Sequence, residues 1–522
     1  MLKKLHGRKL AVCLIGGAMY ALFSAFGWQA EHGGVIWAGG ALLVAALLVW
    51  PIAALLAVLL ERGYTRALRR EKTFRAGRAF AFILACYVPM FCVAFPGSFA
   101  YDVPYQLRQV VTGAYSTHHP LLHTLALGGL LQLGRALGDI NLGAALYTAL
   151  QMALLAGCFA LTCGSIARQS GARAAKRAAV FFALYPLNMV MAVNATKDVL
   201  FGGFFALTLA LLNEIQEKPS RGLALKIAVC GALAVMLRNN MAYAALAWLA
   251  LLTIGLRKGE KSAALAMLLA LAVGLFGNAA LKRATRAENG DMSEMLSWPI
   301  QQLARARLYD EDRLTDAEKE AIDELMPGEA WACYDPTISD PVKFEFDTQA
   351  FRADVKKYVG VWLSVGKKCA GTYLDATMAL TYPFFYPYRE YRVSGYYVQM
   401  GMSDAYDAGW CDFDPPESRS LFPRALTSLS WRFGAKGAMQ IPVVGWLFNM
   451  GVIVWTMLFF ALREMYWGRW RRFGTALLPV LLWGTFLLGP VMAGRYIYPF
   501  VCALPVLAAR PGRSVKEAAR HG

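Results

Sequence analysis

Charge is what this sequence has least of. Only 17% of its 522 residues are Asp, Glu, Lys or Arg, whereas 57% are hydrophobic. A soluble chain of this length divides into two or more domains, each needing a charged surface that this composition does not supply. The apolar residues instead form runs such as 34–60 and 79–95. Each run is long enough to cross most or all of a hydrocarbon core about 30 Å thick. In lipid every backbone polar group must be bonded within its own segment, so the expected class is an all-α integral membrane bundle.

Acidic residues are scarcer still, 35 against 53 Lys and Arg, for a net charge of +18. Such an excess suggests nucleic acid in a soluble protein, but no basic stripe here is interleaved with exposed aromatics, and nucleic acid is not an expected partner. The chain has only six histidines. Three of them are His118, His119 and His123; the spacing could put His119 and His123 on one helical face, one turn apart, but no Cys or Glu accompanies that pair, so zinc would lack its third ligand. Seven of the ten cysteines sit in apolar runs as small hydrophobes. Cys333, Cys369 and Cys411 fall in the one large polar region; their odd number specifies no pairing, and one disulfide among them stays open. Internal repeats and low-complexity linkers are absent. So is a small-x-small cleavage site after the first apolar run, which therefore reads as an uncleaved first helix.

What is present is a regular alternation. Twelve spans are expected, at 9–27, 34–60, 79–95, 141–161, 178–193, 199–213, 224–237, 241–256, 262–280, 441–462, 473–490 and 495–509. Every second connection is basic, from Lys3, Lys4, Arg8 and Lys9 through Arg62–Arg78 and Arg168–Arg177 to Arg463–Arg472 and the tail. Positive charge marks the cytoplasmic side, which places both termini inside and predicts a multi-pass protein of the bacterial cytoplasmic membrane. The organisation expected is two N-terminal helices in 1–78, a core in 79–280 with its first outer loop at 96–140, an extracytoplasmic subdomain in 281–440, and C-terminal helices with a basic tail in 441–522. Within the subdomain, Thr315 followed by Glu318 forms a capping box that predicts a helix over 314–326. Residues 351–363 carry apolar side chains at helical spacing and predict an amphipathic helix. The aromatic stretch 382–397 predicts irregular chain near the headgroups.

The outer connections hold the candidate chemistry. Asp102, flanked by Tyr101 and followed by Gln106, lies a few residues beyond a span; a carboxylate there can take a proton from a hydroxyl or hold a sugar or a cation. From position alone, a solvated aspartate after a Pro-Gly turn is the plainer account. His118 and His119 could bind phosphate or cap a helix over 120–137. Lys197 and Asp198 form a polar turn between spans. Arg238, with Asn239 and Asn240, separates two short spans, and an arginine at the bilayer centre costs about 2.5–3.5 kcal/mol, so it belongs at a boundary or in a wet cavity. Its fork suits a pair of phosphate oxygens. Arg495 and Tyr496 open the last span at the same level, where snorkelling alone would also explain the arginine.

On Phe95-Pro96-Gly97 with Asp102 and Gln106, His119-Pro120, Lys197-Asp198, Arg238-Asn239-Asn240 and Gly494-Arg495-Tyr496, the chain resembles the GT-C superfamily of polytopic glycosyltransferases. It is similar in particular to bacterial envelope relatives of the protein O-mannosyltransferases and the lipid A aminoarabinose transferases. The resemblance implies a GT-C-like bundle and transfer of a sugar from a polyprenyl-phosphate carrier to an envelope acceptor, a glycan, lipid or protein. It implies that Asp102 is the acceptor-activating base and that Lys197, Arg238, Arg495, His118 and His119 hold the donor phosphate. Tyr101, Gln106, Asp198, Asn239, Asn240 and Tyr496 would line the substrate. Asp102 stands alone in its loop, where many members have two acids; no cofactor is assigned, and a divalent cation stays open. A lipid-linked sugar flippase, an envelope polymerase or ligase, and a non-catalytic scaffold are the competing readings.

Overall fold

In the computed structural model, the described residues are 5, 7–32, 40–62, 74–100, 102–252, 258–387, 415–434, 441 and 443–510. Their regular structure is helical, with isolated bridges and no strand among them. Among the described residues six helices are long and apolar enough to cross a membrane: α1 (Arg8–His32), α2 (Gly40–Arg62), α3 (Ala76–Ala94), α6 (Ile140–Ser170), α9 (Lys197–Glu217) and α12 (Lys258–Thr285). These six coincide with expected spans, and the shorter α11 (Asn239–Leu252) and α22 (Tyr498–Ala508) coincide with two more. The large apolar side chains that stay exposed, such as Leu47, Trp50 and Leu55 on α2 and Leu265 and Phe276 on α12, suit contact with lipid tails rather than water.

The remaining expected spans fall on α10 (Arg221–Leu237), α20 (Met450–Tyr466), α21 (Trp470–Leu487) and a broken pair. The run 178–193 is not one helix. It divides into α7 (Ala172–Leu184) and α8 (Pro186–Ala192) at Tyr185, which is extended at φ −65°, ψ 121°. Pro186 has no N–H to give and its ring disfavours a helical residue before it, so the apolar run stays apolar while the helix stops. The connection 96–140 holds the helix expected over 120–137, as α5 (Leu121–Ala136), and ahead of it a further one, α4 (Val103–Thr112).

At the centre stands α9, with nearly all of its length buried against α6, α10, α12, α21 and α22. Its N-terminus carries Lys197 and Asp198, so the most enclosed helix of the bundle opens at the candidate site. The two N-terminal helices pack closely on each other. A Cβ on Gly17 would meet the Val49 carbonyl at 2.8 Å and Ala53 at 3.1 Å, the small-residue crossing that lets membrane helices approach. This pair joins the rest through Phe23, whose ring lies 4.9 Å from Phe385.

Within residues 286–387, positions 292–373 build a second hydrophobic core around Ile300, Ile322, Val342 and Val365, while Leu380, Tyr382, Phe384, Phe385 and Tyr386 join the main one. Its α14 (Asp316–Leu325) opens with the capping box of Thr315 and Glu318, and Lys368 extends that box by bonding Glu318 at 2.7 Å. The amphipathic segment appears as α16 (Thr348–Ala353) and α17 (Val355–Lys368), separated at Asp354, whose carboxylate caps the second by accepting from Lys357 N. Residues 415–434 do not join this core. They run along the end of α3, with Arg419 N donating to Phe95 O and Leu421 N to Cys92 O. Cys333 and Cys369 carry no disulfide, and Cys411 lies outside the described residues. Of the aromatic stretch, residues 382–387 are described and begin with a single 3-10 turn, Tyr382–Phe384.

Candidate active site

Two short backbone ties set the site. Ser98 N donates to Val193 O and Ala195 N to Ser98 O, each at 2.8 Å, so the chain leaving α3 is pinned to the chain entering α9. Gly97 makes the approach close, since at its φ of 146° a Cβ would run into Thr148 Oγ1. Asp102, the residue before α4, is thereby held beside Lys197, the first residue of α9.

Five connections converge here. Lys197 Nζ lies 2.8 Å from Asp102 Oδ2. Arg495, in the turn Gly494–Ile497 before α22, reaches across the bundle with Nη1 at 3.1 Å from Oδ2 and Nη2 at 3.2 Å from Oδ1. That fork is the bidentate geometry preferred by guanidinium and carboxylate. His119 Nδ1 stands 3.7 Å from Oδ2. Beneath this layer Arg238, the residue ending α10, pairs with Asp198, whose side chain has no exposure at all. Arg495 Nε lies 3.8 Å from Asp198 Oδ2 and so links the two pairs. The Arg238 guanidinium is clamped between rings, 4.5 Å from the Phe486 centroid and 4.4 Å from that of Tyr496. Its Nε finds no acceptor among the described residues.

Two acids therefore face three cations, and His119 does not change the balance. Burial pushes its imidazole down to about 3, with Lys197, His118 and Arg495 acting in the same direction against Asp102, so it is neutral at pH 7. Burial alone would raise the Asp102 carboxyl, but the charges of Arg495 and Lys197 beside it prevail and hold it well below the usual carboxylate range. A site with one net positive charge, 21% of the Asp102 side chain exposed and the deeper pair sealed, favours an anion from the accessible side.

Of the sequence candidates, the structure brings together Asp102, His119, Lys197, Asp198, Arg238, Arg495 and Tyr496. His118 is exposed, its ring 4.6 Å from that of His119. Gln106 turns away: its amide reaches Thr124 Oγ1 at 3.0 Å and His123 Nδ1 at 3.0 Å. Asn239 is exposed, and Asn240 donates to Thr485 Oγ1 at 3.2 Å, because α11 begins at once after the extended Arg238 and carries both side chains round its own axis. Tyr101 lies outside the described residues.

Behind Asp102 runs a polar chain that extends past the residues singled out from the sequence. His123 Nε2 meets the Tyr147 hydroxyl at 2.8 Å, Tyr147 donates to Gln151 Oε1 at 3.0 Å, and Gln151 Nε2 donates to Asn194 O at 2.7 Å. It spans from α5 through α6 to the turn before α9, and burial pushes His123 down to about 3 as well. Tyr147 and Gln151 stand one helical turn apart inside an apolar run, and polar side chains on one face of a membrane helix were the signal for them.

The subdomain reaches two of the site's connections. Ser339 N donates to Pro490 O at 2.9 Å and Trp298 Nε1 to Leu487 O at 2.7 Å, just ahead of Arg495. Thr117 N donates to Glu288 O at 2.9 Å beside His118. Among the described residues no three His, Cys, Asp or Glu side chains gather as a metal site.

No curated protein and no solved structure matches the chain. A family model does match over residues 111–521, a stretch that includes Lys197, Asp198, Arg238 and Arg495 and begins after Asp102. The chain thus belongs to DUF6020, a family of unknown function.

Proposed function

We propose that this protein is a membrane glycosyltransferase that moves a sugar from a polyprenyl-phosphate carrier to an envelope acceptor. The observation that carries the reading is the convergence of Asp102, Lys197, Asp198, Arg238 and Arg495 at one end of an apolar bundle. An anion-selective site with an acid at its accessible edge, set where helices end, suits a phosphate whose prenyl chain stays in lipid. Counting positive charge, that end is the outer face of the bacterial cytoplasmic membrane and both termini are cytoplasmic, in a GT-C-like bundle of about twelve spans.

In this reading the acceptor hydroxyl attacks the anomeric carbon while Asp102 takes its proton. A carbon–oxygen bond forms to the acceptor, the bond to the phosphate oxygen breaks, and that oxygen leaves with the electron pair. Lys197, Arg495 and Arg238 stabilise the charge it gains. The subdomain over 286–387 faces the acceptor, since it braces the connections that carry His118 and Arg495. An envelope polymerase or ligase would use the same chemistry on a larger acceptor.

A second reading has one observation in its favour. The chain breaks between α7 and α8 and between α10 and α11, and interrupted helices around a charged site also suit a lipid-linked sugar flippase. Transfer from radiolabelled polyprenyl-phosphate sugars by purified protein in liposomes separates the two. Loss of sugar from the donor in wild type but not in Asp102→Asn supports the transferase. Donor that crosses the bilayer with its sugar intact supports the flippase.

A further inference from the structure

The transferase reading asks the same cations for two services. Lys197 and Arg495 are to hold the leaving phosphate, yet both are engaged with Asp102. One of its oxygens accepts from Lys197 and Arg495 and the other from Arg495. Asp102 is to take a proton, yet a carboxylate with both oxygens occupied by cations is a poor proton acceptor. Neither service is available while these bonds last.

The two ion pairs differ in how readily they can part. Asp198 is wholly buried, and Arg238 is fixed between two aromatic rings behind it. Separating that pair would strand a charge in a dry site, which costs about 3–5 kcal/mol. Asp102 is 21% exposed and Lys197 14%, and Lys197 hangs on a flexible stem at the start of a helix. This upper layer can exchange one anion for another without leaving a buried charge alone, because an incoming phosphate restores what Lys197 and Arg495 lose.

We propose that Asp102 is a placeholder for the carrier's phosphate: a polyprenyl phosphate takes Lys197 and Arg495 away from Asp102, and only the carrier-loaded protein has a carboxylate free to accept a proton. Arg238 and Asp198 form the fixed floor on which the exchange occurs. The bound phosphate does more than release Asp102. An anion beside a carboxylate disfavours its charged form, which moves the acid toward the range where a base works. Without a carrier the site keeps its base closed. The inference rests on the transferase reading and adds the order of events within it.

The exchange makes an expectation opposite to that of an ordinary contact residue. If the ion-paired state holds about nine-tenths or more of the free protein, removing the competing carboxylate tightens binding about tenfold or more. Binding of a tritiated polyprenyl monophosphate to full-length protein in lipid nanodiscs measures this. Asp102→Asn is expected to bind about tenfold more tightly than wild type while losing transfer, and Asp102→Glu, which keeps the charge, is not. Unchanged or weaker binding by Asp102→Asn, with wild type binding measurably, overturns the exchange and leaves the transferase reading in place. No binding by any of the three removes the transferase reading itself. Should Asp102→Asn fail to fold, carbodiimide labelling of Asp102 in wild type, read by mass spectrometry, decides the matter. Added lipid phosphate is expected to raise the labelling, and unchanged or reduced labelling overturns the proposal.

Discussion

At the end of the bundle where the basic connections meet, Arg463 is 3% exposed and bonds both Glu464 at 2.6 Å and the Leu507 carbonyl at 2.7 Å. Arg472 donates to Ala509 O at 2.5 Å and Arg471 to Gln216 O at 3.4 Å. These arginines close the C-termini of α22 and α9, supplying donors where the last turn of a helix leaves carbonyls without partners. The opposite end holds Arg238 and Arg495. They face carboxylates and aromatic rings, and Arg238 retains a donor without an acceptor among the described residues. Burial of arginine is common to both ends, so burial does not identify a site. What distinguishes them is whether the helix ends already account for the charge.

Substitutions at the two ends break this comparison if it is wrong. The largest effect expected is on rate: Asp102→Asn should lower sugar transfer by about 100- to 10,000-fold, the usual contribution of a positioned base. Transfer within threefold of wild type in a liposome assay would mean the carboxylate does not act as base. Next comes stability. Arg238→Met leaves Asp198 buried with Arg495 Nε no nearer than 3.8 Å and should cost about 3–5 kcal/mol in a detergent melt. Arg463→Met, at the other end, should cost less, about 1.5–3 kcal/mol, because Arg469 still reaches Glu464 at 3.2 Å. Equal losses would erase the distinction drawn here.

Acid sharpens it further. His119 and His123 titrate in the fold at about 3 and in the unfolded chain near 6.5. A depressed value means the unfolded state binds more protons between those limits. Stability is therefore full above pH 6.5 and falls as pH drops toward 3, by up to about 2 kcal/mol per histidine between pH 6.5 and 5. A melt of His123→Gln should show a shallower loss over that interval, and a slope identical to wild type would place the acid sensitivity elsewhere. The smallest effect is expected from Arg168→Ala. This arginine bonds Glu214 at 2.5 Å but is 54% exposed, and Glu214, 12% exposed, keeps the Ser165 hydroxyl at 2.7 Å, so the loss should be about 1 kcal/mol and transfer should be unaffected.

Much of this could be read from the sequence, for identifiable reasons. Long apolar runs became helices because lipid allows the backbone little else, and the Thr315–Glu318 box formed because its bonds are local. The charge pattern grouped Asp102, Lys197, Arg238 and Arg495 through the order of their connections, and the structure brings them into contact. Their pairing was another matter. Asp102 and Arg495 are 393 positions apart, and nothing local says that Arg495 takes Asp102 while Arg238 takes Asp198. The break at Tyr185 was hidden because Pro186 interrupts a helix without interrupting hydrophobicity. Gln106 and Asn240 were misplaced because a residue's position in a loop fixes its level and not the direction of its side chain. His123, Tyr147 and Gln151 cannot be read as a connected chain from the sequence because each alone looks like an ordinary polar residue in a helix, and only the fold joins them.

The most direct test of the central claim is a cryo-electron microscopy structure of the protein in nanodiscs with a polyprenyl monophosphate. The account predicts a phosphate within hydrogen-bonding distance of Lys197 and Arg495, with Asp102 released from both and the Arg238–Asp198 pair unmoved. A lipid phosphate bound elsewhere, with Asp102 still held by Lys197 and Arg495, would contradict it.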